Sequence, residues 1–250
     1  MPRGQAFSHT TAAQLYLIPL PLGLADDPII HVAVNEVRQP PRVNGVVGHT
    51  LAGVEARFRR HSGFVVTDPV STWCHLASVL SLYDLVAAGD YLVSGRVTDH
   101  EREPPLATIA ELRAGISSYA GKRGAKKLRE AIERVRTGVD SRPETWLRLI
   151  LIDGGLPEPV VNEAIFDSHG RRLGKPDLAY PWARLLFEYE GDEHRVSKKR
   201  FRGDITRREI FEADLWRVMR VVSDDLFVDK RSFLKRVHRI IAQQASANPQ

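Results

Sequence analysis

Four carboxylates in the last third of the chain, Glu144, Asp177, Glu188 and Glu190, stand where the surrounding pattern predicts a helix start and two strands. Acids grouped on ordered backbone are oxygen ligands for hard divalent cations such as Mg²⁺ or Mn²⁺. A cation so held polarises a phosphoryl oxygen and lowers the pKa of a bound water, so the chemistry within reach is hydrolysis of a phosphodiester. His194, four residues beyond Glu190, is a candidate general base or the residue that positions the attacking water; a solvated loop histidine is the plainer reading. Next comes a basic segment: Arg195, Lys198, Lys199, Arg200, Arg202, Arg207 and Arg208 against the single acid Asp204, which more than accounts for the whole chain's net charge of +5. Such a segment suits contact with a nucleic-acid backbone, and equally a solvated face.

The elements that must carry these residues follow from local pattern. Ser141-Arg142-Pro143-Glu144 reads as a capping box opening a helix whose apolar face is Trp146, Leu147, Ile150 and Leu151, and Gly154-Gly155 ends it. A capping-box glutamate needs no catalytic role, so Glu144 has two readings. The run Pro159–Phe166 predicts a strand, and Pro176–Tyr180 and Arg184–Glu190 predict a hairpin turning near Trp182. Folding its arms together sets Asp177 opposite Phe187 and Glu188, and the period of two puts Glu188 and Glu190 on one face. Leu185-Leu186-Phe187 implies a largely buried strand, where an isolated carboxylate costs several kcal/mol, so a cation must neutralise these acids: a metal, or arginines such as Arg171, Arg172 and Arg184. A helix over Ile205–Leu215, with Asp204 at its cap and Arg207 and Arg208 within reach of phosphates, precedes a final strand over Trp216–Val222.

The ordered set Glu144, Pro176-Asp177, Phe187-Glu188-Tyr189-Glu190-Gly191, His194, Asp204, Arg207/Arg208 and WRVMRV resembles the very-short-patch-repair-like endonuclease family, a branch of the PD-(D/E)XK nuclease superfamily, over about Ser141–Leu226. The resemblance implies a restriction-endonuclease-like mixed sheet flanked by helices and a Mg²⁺- or Mn²⁺-dependent deoxyribonuclease. It implies Asp177 and Glu188 as principal metal ligands, Glu144 as a further acid of the site, and His194 as the water-activating or phosphate-contacting residue. Two departures stand out. Glu190 occupies the place of the superfamily's lysine, where the related branch usually has Asp. A chain whose only cysteine is Cys74 also cannot build the cysteine-rich zinc site of the repair enzymes themselves.

The first half predicts a small α+β unit over residues 1–105, with strands at Ile29–Glu36 and Gly63–Asp68, a helix between them over Leu51–Arg60, and helices after Ser71 or Thr72 and around Leu82–Ala88. Its histidines His9, His31, His49, His61 and His75 are scattered in sequence and read as structural or surface residues. The polar stretch Gly95–Pro105 reads as a linker, followed by helices over Ile109–Ser117 and Lys122–Arg136 in a connecting region 106–140, with the nuclease-like domain over 141–250. HVAVNE at His31–Glu36, VVTDPVSTWCHLAS at Val65–Ser78 and LYDLVAAGDYLV at Leu82–Val93 resemble the core of the abortive-infection type IV antitoxin family. Those proteins often begin with a winged helix, for which there is no room before Ile29.

Of the 250 residues, 43% are hydrophobic and 27% charged, the composition of a soluble globular protein. The apolar runs Leu15–Leu24 and Val79–Val93 are broken by Pro19, Pro21, Asp84 and Asp90, short of a membrane span, and no export signal opens the chain, so a cytoplasmic protein is expected. The expectation is a DNA-cleaving unit preceded by a recognition unit that binds DNA, a partner protein or a second copy of the chain. A nuclease fold kept for DNA binding or antitoxin-like regulation, without turnover, is the alternative.

Overall fold

The structure, a computed structural model, describes residues 4–52, 57–98, 101–191 and 208–247. It is a mixed α/β fold in two compact units that divide between Arg142 and Pro143. Residues 106–140 therefore belong to the first unit rather than forming a connection between two domains. No helix among the described residues is long and apolar enough to cross a membrane.

The first unit holds β1 (Gln5–Phe7), α1 (His9–Leu15), α2 (Leu22–Ala25), β2 (Ile30–Asn35), β3 (Val46–Leu51), β4 (Phe58–His61), β5 (Phe64–Thr67), α3 (Pro69–Leu76), α4 (Leu82–Ser94), α5 (Ile109–Ser118) and α6 (Ala125–Arg134). The sheet order is β3-β2-β1-β5-β4, with β2 parallel to β3 and β1 parallel to β5. Residues expected in one helix over Leu51–Arg60 instead end β3 and form β4, with 53–56 outside the described residues. Pairing with β5 outweighs local propensity here, because Ser62 (φ 48°) and Gly63 (φ 82°) make the two-residue positive-φ turn that matches strand twist.

Asp68, not Ser71 or Thr72, caps α3, its Oδ1 accepting from the Ser71 amide at 2.6 Å. Trp73 on α3 is fully buried and donates from Nε1 to the Leu85 carbonyl at 2.8 Å. The two acids that interrupt α4's apolar run have work in the fold: Asp90 Oδ1 accepts from the Arg136 amide at 2.7 Å, just past α6, and Asp84 pairs with Arg142 at 2.8 Å. Gly124 opens α6 with φ +92°, and a Cβ there would stand 2.7 Å from the Ala77 carbonyl oxygen. Gly124→Ala is accordingly expected to destabilise the first unit by about 1–3 kcal/mol, read as a lower urea midpoint at unchanged slope.

The second unit runs α7 (Arg142–Asp153), β6 (Val160–Val161), β7 (Ile165–Phe166), β8 (Arg172–Gly174), β9 (Leu178–Tyr180), β10 (Leu185–Glu190), α8 (208–213), β11 (Arg217–Val222), α9 (Ser223–Phe227) and α10 (Lys230–Ala247). Its main sheet has the order β11-β10-β9-β6. The hairpin turns through a 3₁₀ helix at Pro181–Ala183 and Arg184 at φ 43°, so that Leu185 pairs with Tyr180 and Phe187 with Leu178. Beneath the sheet Leu186 packs with Ile165, Leu173, Ala179, Phe211, Trp216 and Val218. The strand expected over Pro159–Phe166 is two short strands, because Asn162 between them sits at φ 51° and breaks the extended run.

Candidate functional site

One row of residues crosses the four strands of the second unit's main sheet. Val161 pairs with Leu178, Leu178 with Phe187, and Glu188 with Arg220, so one step beyond the β6–β9–β10 pairings lie Asn162, Asp177 and Glu188. Glu188 and Arg220 are directly paired and share a sheet face, and Asp177 and Asn162 continue the row as the residues next to the last paired positions of β9 and β6.

Hydrogen bonds fix most of its members. The Asn162 amide donates to the Asp177 carbonyl at 2.9 Å, and its side-chain Nδ2 donates to Glu144 Oε2 at 2.6 Å. Asp177 Oδ2 accepts from the Tyr189 amide at 2.7 Å, continuing the β9–β10 ladder with a side chain where the backbone pairing ends. Glu144, in the first turn of α7, is 6% exposed, whereas Asp177, Glu188 and Glu190 are half-buried. Glu190 leaves the row by two residues along β10 and meets Arg220, its Oε1 lying 2.6 Å from the guanidinium Nη1.

The place of the expected lysine is thus filled by an ion pair whose cation comes from the neighbouring strand. Oxygen donors of this kind fit Mg²⁺ or Mn²⁺. Glu144, Asp177 and Glu188 do not, however, form a trio whose carboxylate oxygens all lie within 4.8 Å of one another. Among the described residues, a trio of ligand atoms that close is formed instead by His9, His31 and His49 in the first unit.

Of the other residues singled out from sequence, His194, Lys198, Lys199, Arg200, Arg202 and Arg207 lie outside the described residues, as does Asp204. Arg208 opens the described part of α8, with Nε donating to Glu212 Oε1 at 2.7 Å and both side chains about half exposed. An exposed pair of that kind contributes at most about 1 kcal/mol.

Two site residues escaped the sequence reading. Asn162 was hidden because it seemed to continue a strand; the signal was an asparagine, the side chain that best tolerates left-handed backbone, after two β-branched residues. Arg220 carried no signal beyond its place in WRVMRV, because its partner is set by register. Asn162→Gly keeps the positive φ while removing the amide that holds Glu144. The second unit's stability is expected to fall by about 0.5–1.5 kcal/mol, read as a lower urea midpoint at unchanged slope.

Two proteins of Mycobacterium tuberculosis, the uncharacterized proteins MT2308 (strain CDC 1551 / Oshkosh) and Rv2248 (strain ATCC 25618 / H37Rv), are each 28% identical to this chain over 210 residues, covering 84% of it and 73% of the relative. No family model matches the chain. No solved structure matches it.

Proposed function

We propose that the second unit hydrolyses DNA phosphodiester bonds with Mg²⁺ or Mn²⁺ as cofactor. The observation that carries this reading is the row Asn162–Asp177–Glu188–Arg220, which aligns two strand carboxylates between an amide that orients a third acid, Glu144, and a guanidinium. Asp177 and Glu188 hold the metal, and Glu144 completes the acidic set. Bound there, the ion supplies a Lewis acid and an acidified water. Arg220 stands beside Glu188 and pairs with Glu190. Its planar, permanently charged fork is suited to negative charge building on a phosphoryl oxygen, the task a lysine two residues after Glu188 would otherwise perform. Lys198, Lys199, Arg200, Arg202, Arg207 and Arg208 are the candidate phosphate contacts, and His194 the candidate base. The first unit recognises DNA, a protein partner or a second copy of the chain.

Supercoiled plasmid incubated with the purified protein and Mn²⁺ or Mg²⁺ is expected to become nicked or linear, and EDTA to prevent it. Intact plasmid at every enzyme excess overturns the reading.

A second reading rests on the same ion pair: with Glu190 and Arg220 neutralising each other, the unit is a DNA-binding or antitoxin-like module without turnover. DNA binding with a steep salt dependence, and no Mn²⁺ bound at the carboxylates, is its expected signature.

A further inference from the structure

The histidines that look separate in the sequence of the first unit come together in space. His31 on β2 and His49 on β3 sit on one face of a parallel strand pair, since His31 pairs with Val47 and Ala33 with His49. Their Nδ1 and Nε2 atoms are 2.8 Å apart, sharing one proton between two lone pairs. The His9 ring, at the start of α1, lies nearly parallel to that of His49, with centroids 3.7 Å apart, and 5.6 Å from that of His31. One ring nitrogen from each of His9, His31 and His49 falls within 4.8 Å of the other two.

His9 is held in this stack at φ +50°, a conformation that is costly for a residue with a side chain and that accumulates at functional sites. A fourth imidazole, His75, is 1% exposed and nearly parallel to His9 at 4.6 Å. Neither of its ring nitrogens has a hydrogen-bond partner among the described residues. His61 differs, for its Nε2 meets the Leu15 carbonyl at 3.0 Å as an ordinary structural contact.

We infer that His9, His31 and His49 form a binding site for a late first-row divalent cation of the Zn²⁺ class, separate from the acidic row. Neutral imidazole nitrogen is the donor such ions prefer, whereas Mg²⁺ and Mn²⁺ prefer oxygen. Burial first, and the neighbouring imidazoles second, lower the pKa of His9 to about 2. Burial first and His31 second bring His49 to about 4. Tetrahedral zinc with bonds of about 2.0–2.1 Å holds its ligand nitrogens roughly 3.3 Å apart, so the His31–His49 contact at 2.8 Å must open slightly as the three rings turn about a common centre. The ion takes the place of the proton between His31 and His49, which moves to the other nitrogen of its own ring so that both rings stay neutral and offer lone pairs, and it ties the start of α1 to two adjacent strands. Three protein ligands leave one coordination position open, filled by water or an exogenous group.

The test uses the full chain without an affinity tag, stripped with chelator and titrated with Zn²⁺ against a chromophoric competitor, and with Co²⁺ followed by its visible ligand-field absorption. One equivalent of Zn²⁺ per chain, a Co²⁺ spectrum of four-coordinate intensity, and a higher thermal midpoint with Zn²⁺ are expected. The double substitution His31→Asn and His49→Asn should weaken Zn²⁺ by roughly 100-fold or more, while the far-ultraviolet circular dichroism of the metal-free variant stays as in the wild type. Absence of a Zn²⁺ equivalent in the unsubstituted protein overturns the inference whether or not the variant folds. So does Zn²⁺ binding of undiminished strength in a folded double variant.

Discussion

Asp177→Asn is expected to lower metal-dependent plasmid nicking by a factor on the order of 100 to 1,000, with little change in stability. The two effects separate because Asp177 has one duty in the fold and a second that the proposed activity assigns to it. Its Oδ2 accepts from the Tyr189 amide at 2.7 Å and so extends the β9–β10 ladder; an asparagine carbonyl oxygen accepts the same bond. Its negative charge, the part needed to hold a hard divalent cation, is lost with the substitution. Asp177→Ala removes both, and should add about 1–3 kcal/mol of destabilisation from the Tyr189 amide left without its acceptor. Initial rates of nicking for the two variants, set beside their urea midpoints, divide the metal role from the ladder role. An asparagine variant that cuts as fast as the wild type removes Asp177 from the site.

Phe187→Ala carries the largest expected effect on stability. Phe187 is fully buried at the centre of β10, paired with Leu178, and its ring meets Tyr180 edge-on with centroids 5.9 Å apart. Truncating a buried phenylalanine costs about 3–5 kcal/mol, from lost transfer free energy and the cavity left behind. That is a large part of the roughly 5–15 kcal/mol that stabilises a domain. In a unit of this size the thermal midpoint should fall by more than about 10 °C, measured by calorimetry on the transition that the second unit contributes. Activity should be lost with folding, since the strand carrying Glu188 and Glu190 is the one hollowed out. A midpoint within about 3 °C of the wild type would show that the ring is not packed as described.

The sequence by itself determined whatever depends on neighbours within a few residues. The apolar run Leu185–Phe187 and the turn chemistry of Pro181–Arg184 specify a hairpin, and a hairpin of that length sets Asp177 across from Glu188. The apolar periodicity of α5 and α7 marks those helices, and Phe233, Val237, Ile240 and Ile241 at helical spacing mark α10 as well, a pattern that went unread; the strands β1, β3 and β8 are too short to carry a strong pattern. Tertiary structure decided the rest. The residues 51–60 became strand because β5 was there to pair with, and α5 and α6 joined the first unit because α3 and α4 offered them apolar faces. Glu144 is held by Asn162, eighteen positions away and just past β6, and Glu190 by Arg220, thirty positions away on the paired strand; the first is set by where the helix start meets the end of β6 and the second by strand register. The histidine cluster is the plainest case. His9, His31, His49 and His75 have no spacing that a local rule can read, because what gathers them is a helix start, two parallel strands and a buried helix meeting at one point.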